Sequence, residues 1–496
     1  MENTKTGADG IHRAKLWQIG GFALNDVATN LYMFFMNYIA YYLTGYVGVA
    51  VVTASSLITM MRVWDGVTDP FIGYLVDKTN TKFGKNRPFL VAGNLVLALM
   101  SFIMVHVTHH LPQSGRFVFF VFMYMIYIIG YTLQCVVTKS AQTCLTNDPK
   151  QRPLFTIFMG TYGAILLAAL PIYISNVLVP RYDGNFTAGF FHDFWVVVAG
   201  LSFILTIIAI ISIAPKDRTE YFGYGKPVKI HFKDYWDVLK NNRPIQMLVV
   251  SASTDKLALS AQTNATAGVI LYGIVCGNYA LSGAIPAYTT IPTFLFLLFG
   301  AGYVARYLGQ KRAMMLGTWG SLLSCAGLFI ICYVFDPTTL SLPGVGGFSS
   351  LNLFTVLYLL LWILFKGFSG ISGNIVVPMT ADCADYEIYR SGKYVPGLMG
   401  ALFSSIDKLV SSFSATIVGL MCAMIGFTSA LPDVNTPYSG ELKFIGCFIM
   451  FGLVILGNLC NVIAMKYYPL TKEKMAEIQK EIAAIKSAEG GKRELG

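Results

Sequence analysis

Twelve apolar stretches of twenty or more residues, in two sets of six, constrain this chain more than any other feature. They fall near 17–43, 50–76, 88–109, 117–145, 155–178 and 194–214, then near 244–275, 281–308, 313–335, 350–383, 397–427 and 442–466. At 1.5 Å per residue each is long enough to cross about 30 Å of hydrocarbon as a helix. Strand barrels are excluded, because their spans are alternating segments of about ten residues. Only 12% of residues are charged against 55% apolar, where a soluble domain has about a quarter charged. The expectation is an all-α membrane protein of twelve transmembrane helices in two six-helix bundles, 1–214 and 244–468. A connector at 215–243 joins them, and a tail follows at 469–496.

Basic residues crowd onto alternate loops, which marks the side that was never translocated. The N-terminus, the 2–3, 4–5, 8–9 and 10–11 loops, the connector and the C-terminus hold 28 of 36 lysines and arginines, whereas only Arg116, Arg181 and Lys443 lie opposite. Both termini are therefore expected in the cytoplasm, in a chain that sits in the cell membrane. The net charge of +10 needs no nucleic-acid partner, since anionic cytoplasmic lipids border that face. Met1 to Lys15 shows no cleavable signal pattern. Nine cysteines lie mainly inside apolar spans without a CxxC pair and read as packing residues. The connector pattern Phe232 to Leu239 suits an interfacial helix. Met475, Ile478, Ile482 and Ile485 recur at helical spacing and predict a short amphipathic tail helix.

The second span holds an energetic anomaly, Arg62-Val-Trp-Asp65-Gly-Val-Thr68-Asp69-Pro70. A carboxylate near a helix centre costs about 2.5 to 3.5 kcal/mol on an insertion scale, so Asp65, Asp69 and Asp26 together cost roughly 7 to 10 kcal/mol unless neutralised. Asp65 and Asp69 share one helix face, with Thr68 one step round. Hard oxygens at that spacing suit sodium or a proton, and the group lacks the several rigid ligands that magnesium demands. An ion pair to Arg62 is the competing structural reading, yet one guanidinium cannot neutralise three acids. Lys139 in span 4 and Lys408 in span 11 are the further intramembrane cations of interest, whereas Lys366 reads as a lysine snorkelling to the interface. Asp255 and Lys256 are adjacent and point apart, with Lys366 near enough to reach one of them. Asp382 and Asp385 read as clamps at an inner gate.

The halves also echo each other. Gly73-Tyr-Leu-Val-Asp77-Lys78 leaves span 2 and Gly302-Tyr-Val-Ala-Arg306 leaves span 8, each followed by a glycine and basic cluster, Gly84-Lys-Asn-Arg87 and Gly309-Gln-Lys311-Arg312. Such parallel repeats fit two bundles that rock about a midplane site, which places Asp77, Lys78 and Arg87 at a gate.

The run from Asp65 through DPxxGxxxDxTxxxxGKxRP to Pro88 resembles the glycoside-pentoside-hexuronide:cation symporters, the melibiose-permease-like family. Asn25-Asp26 within GGFALND, Tyr131-Thr132, Ala381-Asp382-Cys-Ala-Asp385-Tyr386, Lys408 and Tyr468-Pro-Leu-Thr-Lys-Glu-Lys follow the family at matching places. The resemblance spans essentially the whole chain. It implies a major facilitator superfamily fold, no cofactor, and sodium- or proton-coupled symport of a sugar, glycoside or related solute, anionic ones included. It puts the cation on Asp65, Thr68, Asp69 and Thr132, with Asp26 at the sugar and Lys408 nearby. Departures lie on the solute side: Cys135 stands where a second acidic residue is found in span 4, Lys139 replaces an aromatic residue, and Gly373 replaces a tryptophan. Asn25, Asp26, Cys135, Lys139, Gly373 and Lys408 are thus the candidate solute residues of a protein expected to work as a monomer. The alternatives are a carrier of amphipathic or lipid-like solutes and a non-transporting sensor. No HExxH, GxSxG or P-loop pattern supports an enzyme.

Overall fold

The computed structural model describes residues 12–79, 81–146, 148, 151–218, 239–343, 345, 352–391 and 396–493; side chains at 77, 152–153, 167, 298–306, 396–402 and 483–493 lie outside the description. Six long helices form the first half: α1 Leu16–Met36, α2 Val51–Lys78, α3 Arg87–His106, α4 Gln113–Ser140, α5 Arg152–Tyr173 and α6 Ala188–Ile213. The second half holds α7 Arg243–Gln262, α8 Leu281–Leu308, α9 Gln310–Val334, α10 Leu353–Ser391, α11 Pro396–Ser412 and α12, which opens at Gly440–Cys447 and closes at Leu453–Tyr467. Among the described residues, eight helices are long and apolar enough to cross a membrane. The long helices outside that set include α2 and α7, which carry the intramembrane charges. Apolar side chains such as Phe71, Val118 and Val334 are exposed on the helix surfaces, as expected where the neighbour is lipid rather than water.

Two compact units emerge. One comprises Met1–Lys226, Ser282–Pro286 and Gly419–Pro437; the other comprises Pro227–Leu281, Ala287–Val418 and Tyr438–Gly496. In the first, Ile19, Phe22, Leu90, Val137, Phe155 and Ile213 pack as one apolar cluster across α1, α3, α4, α5 and α6. Polar stitches supplement it: Asn94 Nδ2 donates to Ser202 Oγ at 2.8 Å and to Thr206 Oγ1 at 3.0 Å. In the second unit the tail helix α13, Lys472–Arg493, lays Ile478 and Ile482 into a cluster with Ile245, Met379, Cys383 and Tyr468. The expected amphipathic tail helix is thus present and packs through the predicted face. The predicted interfacial helix at 232–239 lies almost wholly outside the described residues.

A second echo between the halves escaped the sequence pattern. After α1 the chain breaks at Asn37-Tyr38, forms Ile39–Tyr42 and widens into a π-turn at Leu43–Val47. After α7 it breaks at Thr263-Asn264, forms Ala265–Gly268 and widens at Val269–Val275. Asn264 caps its segment through a 3.0 Å bond from the Thr266 amide. All nine cysteines are free, in keeping with a packing role.

Candidate functional site

The site is built on the facing sides of α2 and α4 in the first unit. Asp65 and Thr68 are buried on α2 at 4% and 6% exposure, and Thr132 on α4 is fully buried. Thr132 Oγ1 lies 3.0 Å from Asp65 Oδ1, 3.0 Å from the Ile128 carbonyl and 3.0 Å from Thr68 Oγ1. Thr68 Oγ1 is also 3.0 Å from the Asp65 carbonyl. Two hydroxyl protons therefore serve four oxygen contacts. These five oxygens are hard donors of the kind that sodium takes. Asp69 is half-buried one turn further along the same helix. Pro70, which follows it inside α2, has no N–H, so the carbonyl of residue 66 loses its helical donor. Among the described residues no group of three or more His, Cys, Asp or Glu is arranged to hold a metal ion.

Arg62 stands within electrostatic reach of Asp65, together with Tyr124, Tyr127 and Tyr131. The competing ion-pair reading is therefore partly realised: one arginine faces one of the acids, amid phenols. Asp26 on α1 is half-buried; its Oδ2 accepts from Asn30 Nδ2 at 3.0 Å, and it faces Lys139 electrostatically. Asn25 is buried and donates to Thr138 Oγ1 at 2.7 Å, while its own Oδ1 has no partner. Cys135 is half-buried beside Tyr131.

Two lysines exchange the environments expected of them. Lys139 is exposed in the last turn of α4, one residue before its end, where a cation complements the helix dipole; it is not a buried charge. Lys366, expected to snorkel, is half-buried. Its Nζ donates to Gln262 Oε1 at 2.6 Å and lies 5.1 Å from the Trp362 ring and 4.9 Å from the Phe365 ring. Asp255 is buried within α7 and faces Lys366 electrostatically. Lys256 turns the other way and pairs with Asp407 of α11, itself buried. Lys408 is half-buried on α11, and Gly373 is exposed with open space where a side chain would begin.

Of the gating candidates, Lys78 is exposed and its Nζ lies 4.5 Å from the Tyr74 ring; the side chain of Asp77 lies outside the described residues. Arg87 Nε reaches Asp217 Oδ2 at 3.4 Å. Asp385 Oδ2 accepts from Gln479 of the tail helix at 2.6 Å, and Gln310 hydrogen-bonds Asp382. Sequence reasoning passed over Asp217 and Gln262 and noted Asp407 only as the neighbour of Lys408, without its partner. Their partners lie more than 100 residues away, so no local spacing announces them.

The chain matches the family model described as MFS/sugar transport protein over residues 21–472. It is 25% identical over 477 residues to the glucuronide carrier protein homolog of Escherichia coli (strain K12), covering 94% of both chains. It is 22% identical over 477 residues to a putative glycoside/cation symporter of the same organism, YagG, covering 95% of both. The isoprimeverose transporter of Lactiplantibacillus pentosus is 24% identical over 417 residues, 82% of this chain and 80% of that one. Among solved structures, the nucleoside transporter NupG superposes with a TM-score of 0.59 at 12% identity, over 92% of this chain and all of that one. An inward-facing bacterial homologue of the iron transporter ferroportin gives 0.59 at 10% identity, over 90% and 98%. Those two show the fold alone. The relatives are membrane transporters and not enzymes, and the fold is that of the major facilitator superfamily. On a match that spans most of its length, this chain belongs to the MFS/sugar transport protein family.

Proposed function

We propose that the protein is a secondary active symporter that couples a sodium ion or a proton to import of a sugar, glycoside or related organic solute. The observation that carries the reading is the buried oxygen group of Asp65, Thr68 and Thr132, with Asp69 one turn away. An intramembrane carboxylate is a functional-site hypothesis by default, and this one is wrapped in hydroxyls that a cation can share. The coupling ion binds there, while Asn25, Asp26, Cys135, Lys139, Gly373 and Lys408 are the candidates for solute contact. Acidic glycosides are the first class to try. Support comes from Cys135, a neutral group at the family's acidic position, and from the relative named as a glucuronide carrier homolog. Both termini lie in the cytoplasm on the distribution of basic loops.

Coupling is reciprocal by thermodynamic necessity: the cation tightens solute binding and the solute tightens cation binding by one factor. The test is uptake of glucuronides, neutral glycosides and pentosides into proteoliposomes under imposed sodium or proton gradients, paired with binding titrations. Concentrative uptake that follows one of the two gradients is expected. Equal solute affinity with and without sodium, at every pH tested, overturns coupled symport.

A further inference from the structure

The two halves leave their sixth helices in the same register but with different chemistry. After α6 the chain runs Ala214-Pro215-Lys216-Asp217; after α12 it runs Tyr468-Pro469-Leu470-Thr471. Two residues beyond the proline, the first half offers a carboxylate and the second a hydroxyl.

In the first half that carboxylate fills the turn before α3. Asp217 is buried at 1% exposure. It accepts the backbone N–H of Lys85 at 3.2 Å, of Asn86 at 3.1 Å and of Arg87 at 3.0 Å, with Asn86 Nδ2 at 2.9 Å. Gly84 makes room: its φ is +111°, and a Cβ there would collide with the Asp217 carboxylate. A helix N-terminus leaves its first amides unpaired, and here the chain closes them with its own anion.

In the second half the matching turn is Gly309-Gln310-Lys311-Arg312, with Gly309 at φ +81° and α9 beginning at Gln310. The position that matches Asp217 is Thr471, and the nearest acid beyond Pro469 is Glu473. What stands there is a cavity of about 260 Å³ lined by Gly309, Lys311, Arg312, Met315, Thr471 and Lys472. Carbonyls hold two of the three cations at the rim: Lys311 Nζ donates to the Tyr468 oxygen at 2.5 Å and Lys472 Nζ to the Tyr307 oxygen at 3.3 Å. Glu473, exposed to solvent, faces Arg312 and Lys472. The α13 N-terminus lies beside the same cavity, with Thr471 Oγ1 accepting the Lys474 amide at 3.3 Å. Cations at helix N-termini oppose the helix dipole, an arrangement that a bound anion reverses.

We propose that this cavity binds a phosphate-type oxyanion, which takes in the second half the place that Asp217 takes in the first. The anion is either inorganic phosphate or the headgroup of an anionic phospholipid, since basic pockets on the cytoplasmic side are typical headgroup sites. The site is separate from the cation group of α2 and α4, so it stands or falls independently of the transport reading.

The test measures apparent Tm of the purified full chain in two arms. One compares phosphate with chloride in detergent, matched for sodium and ionic strength. The other compares vesicles of phosphatidylglycerol and phosphatidylcholine with vesicles of phosphatidylcholine alone. The variants are Thr471→Asp, which supplies the missing carboxylate from the chain itself, and Arg312→Gln. The wild type should gain about 2 °C or more in at least one arm. Thr471→Asp should start from a higher Tm and gain nothing, and Arg312→Gln should gain less than the wild type. A gain with phosphate assigns the free ion; a gain only with phosphatidylglycerol assigns the headgroup. A wild type that gains nothing in either arm, or a Thr471→Asp variant that gains as much as the wild type, overturns the proposal.

Discussion

The two units handle intramembrane charge in opposite ways. In the first, Asp65 sits among hydroxyl and carbonyl oxygens, with Arg62 facing it, and Asp69 and Asp26 lie on the same two helices or next to them. In the second, a lysine answers each of two acids: Lys256 closes on Asp407, and Lys366 faces Asp255 while bonded to Gln262. An acid surrounded by shared oxygens can exchange its counter-ion. An acid closed by a lysine on a neighbouring helix exchanges nothing, and it fixes the distance between α7 and α11 instead. On the proposed reading, a carboxylate inside an apolar span does not by itself mark a coupling site; hydroxyl and carbonyl oxygens gathered around it do.

The largest effect expected from that contrast is on coupling. Asp65→Asn should abolish cation-dependent accumulation in proteoliposomes, whereas Asp407→Asn, which removes an acid of similar burial, should leave the cation dependence of uptake within about twofold of wild type. Loss of cation dependence in the Asp407 variant would place the coupling ion in the wrong unit. Next in size is stability. Lys256 is about half exposed as a side chain while Asp407 is buried, so removing the two partners is not equivalent. Lys256→Gln strands a buried carboxylate, and breaking such a pair costs about 3 to 5 kcal/mol when both members are buried, less here because water reaches the lysine. Apparent Tm should therefore fall more for Lys256→Gln than for Asp407→Asn, and the double variant should recover part of the loss. Equal losses, with no recovery in the double variant, would deny the pair its part in holding α7 to α11.

A finer cut separates the candidate ligands of the first unit. Thr132→Ala removes one hydroxyl and leaves the Asp65 carboxylate in place, so the cation should still bind, about tenfold more weakly. Solute affinity without the cation should not move. A Thr132→Ala protein with unchanged cation affinity would confine the site to α2.

How legible all this was follows from sequence separation. The spans and the Asp65–Asp69 face are local patterns, and helical periodicity reports them faithfully. Thr132 was reached only through family resemblance, because nothing in span 4 alone distinguishes its hydroxyl from that of Thr138. Lys139 and Lys366 look alike as sequence, a lysine in an apolar run. What separates them is the end of α4 at Ser140 in one case and the presence of Gln262, Trp362 and Phe365 in the other. Asp217 reads as one more charge in a polar connector, yet it is the anion that the Gly84 turn requires. The wide turns after α1 and α7 left no trace in hydropathy, since a π-turn keeps its residues as apolar as an α-turn does.

The smallest expected effect lies outside the long helices, at His12 ahead of α1. Burial, and after it the charge of Lys216, hold the His12 imidazole below its ordinary range. The folded protein thus binds fewer protons at His12 than the unfolded chain does. Stability from this residue is complete above the unfolded value near 6.5 and declines as pH falls through it toward the depressed folded value. Because His12 is only partly buried, the slope should be shallow. Apparent Tm measured from about pH 8 down to about pH 5 should fall slightly more steeply for the wild type than for His12→Gln; parallel curves would show that the imidazole stays as easily protonated in the folded chain as in the unfolded one.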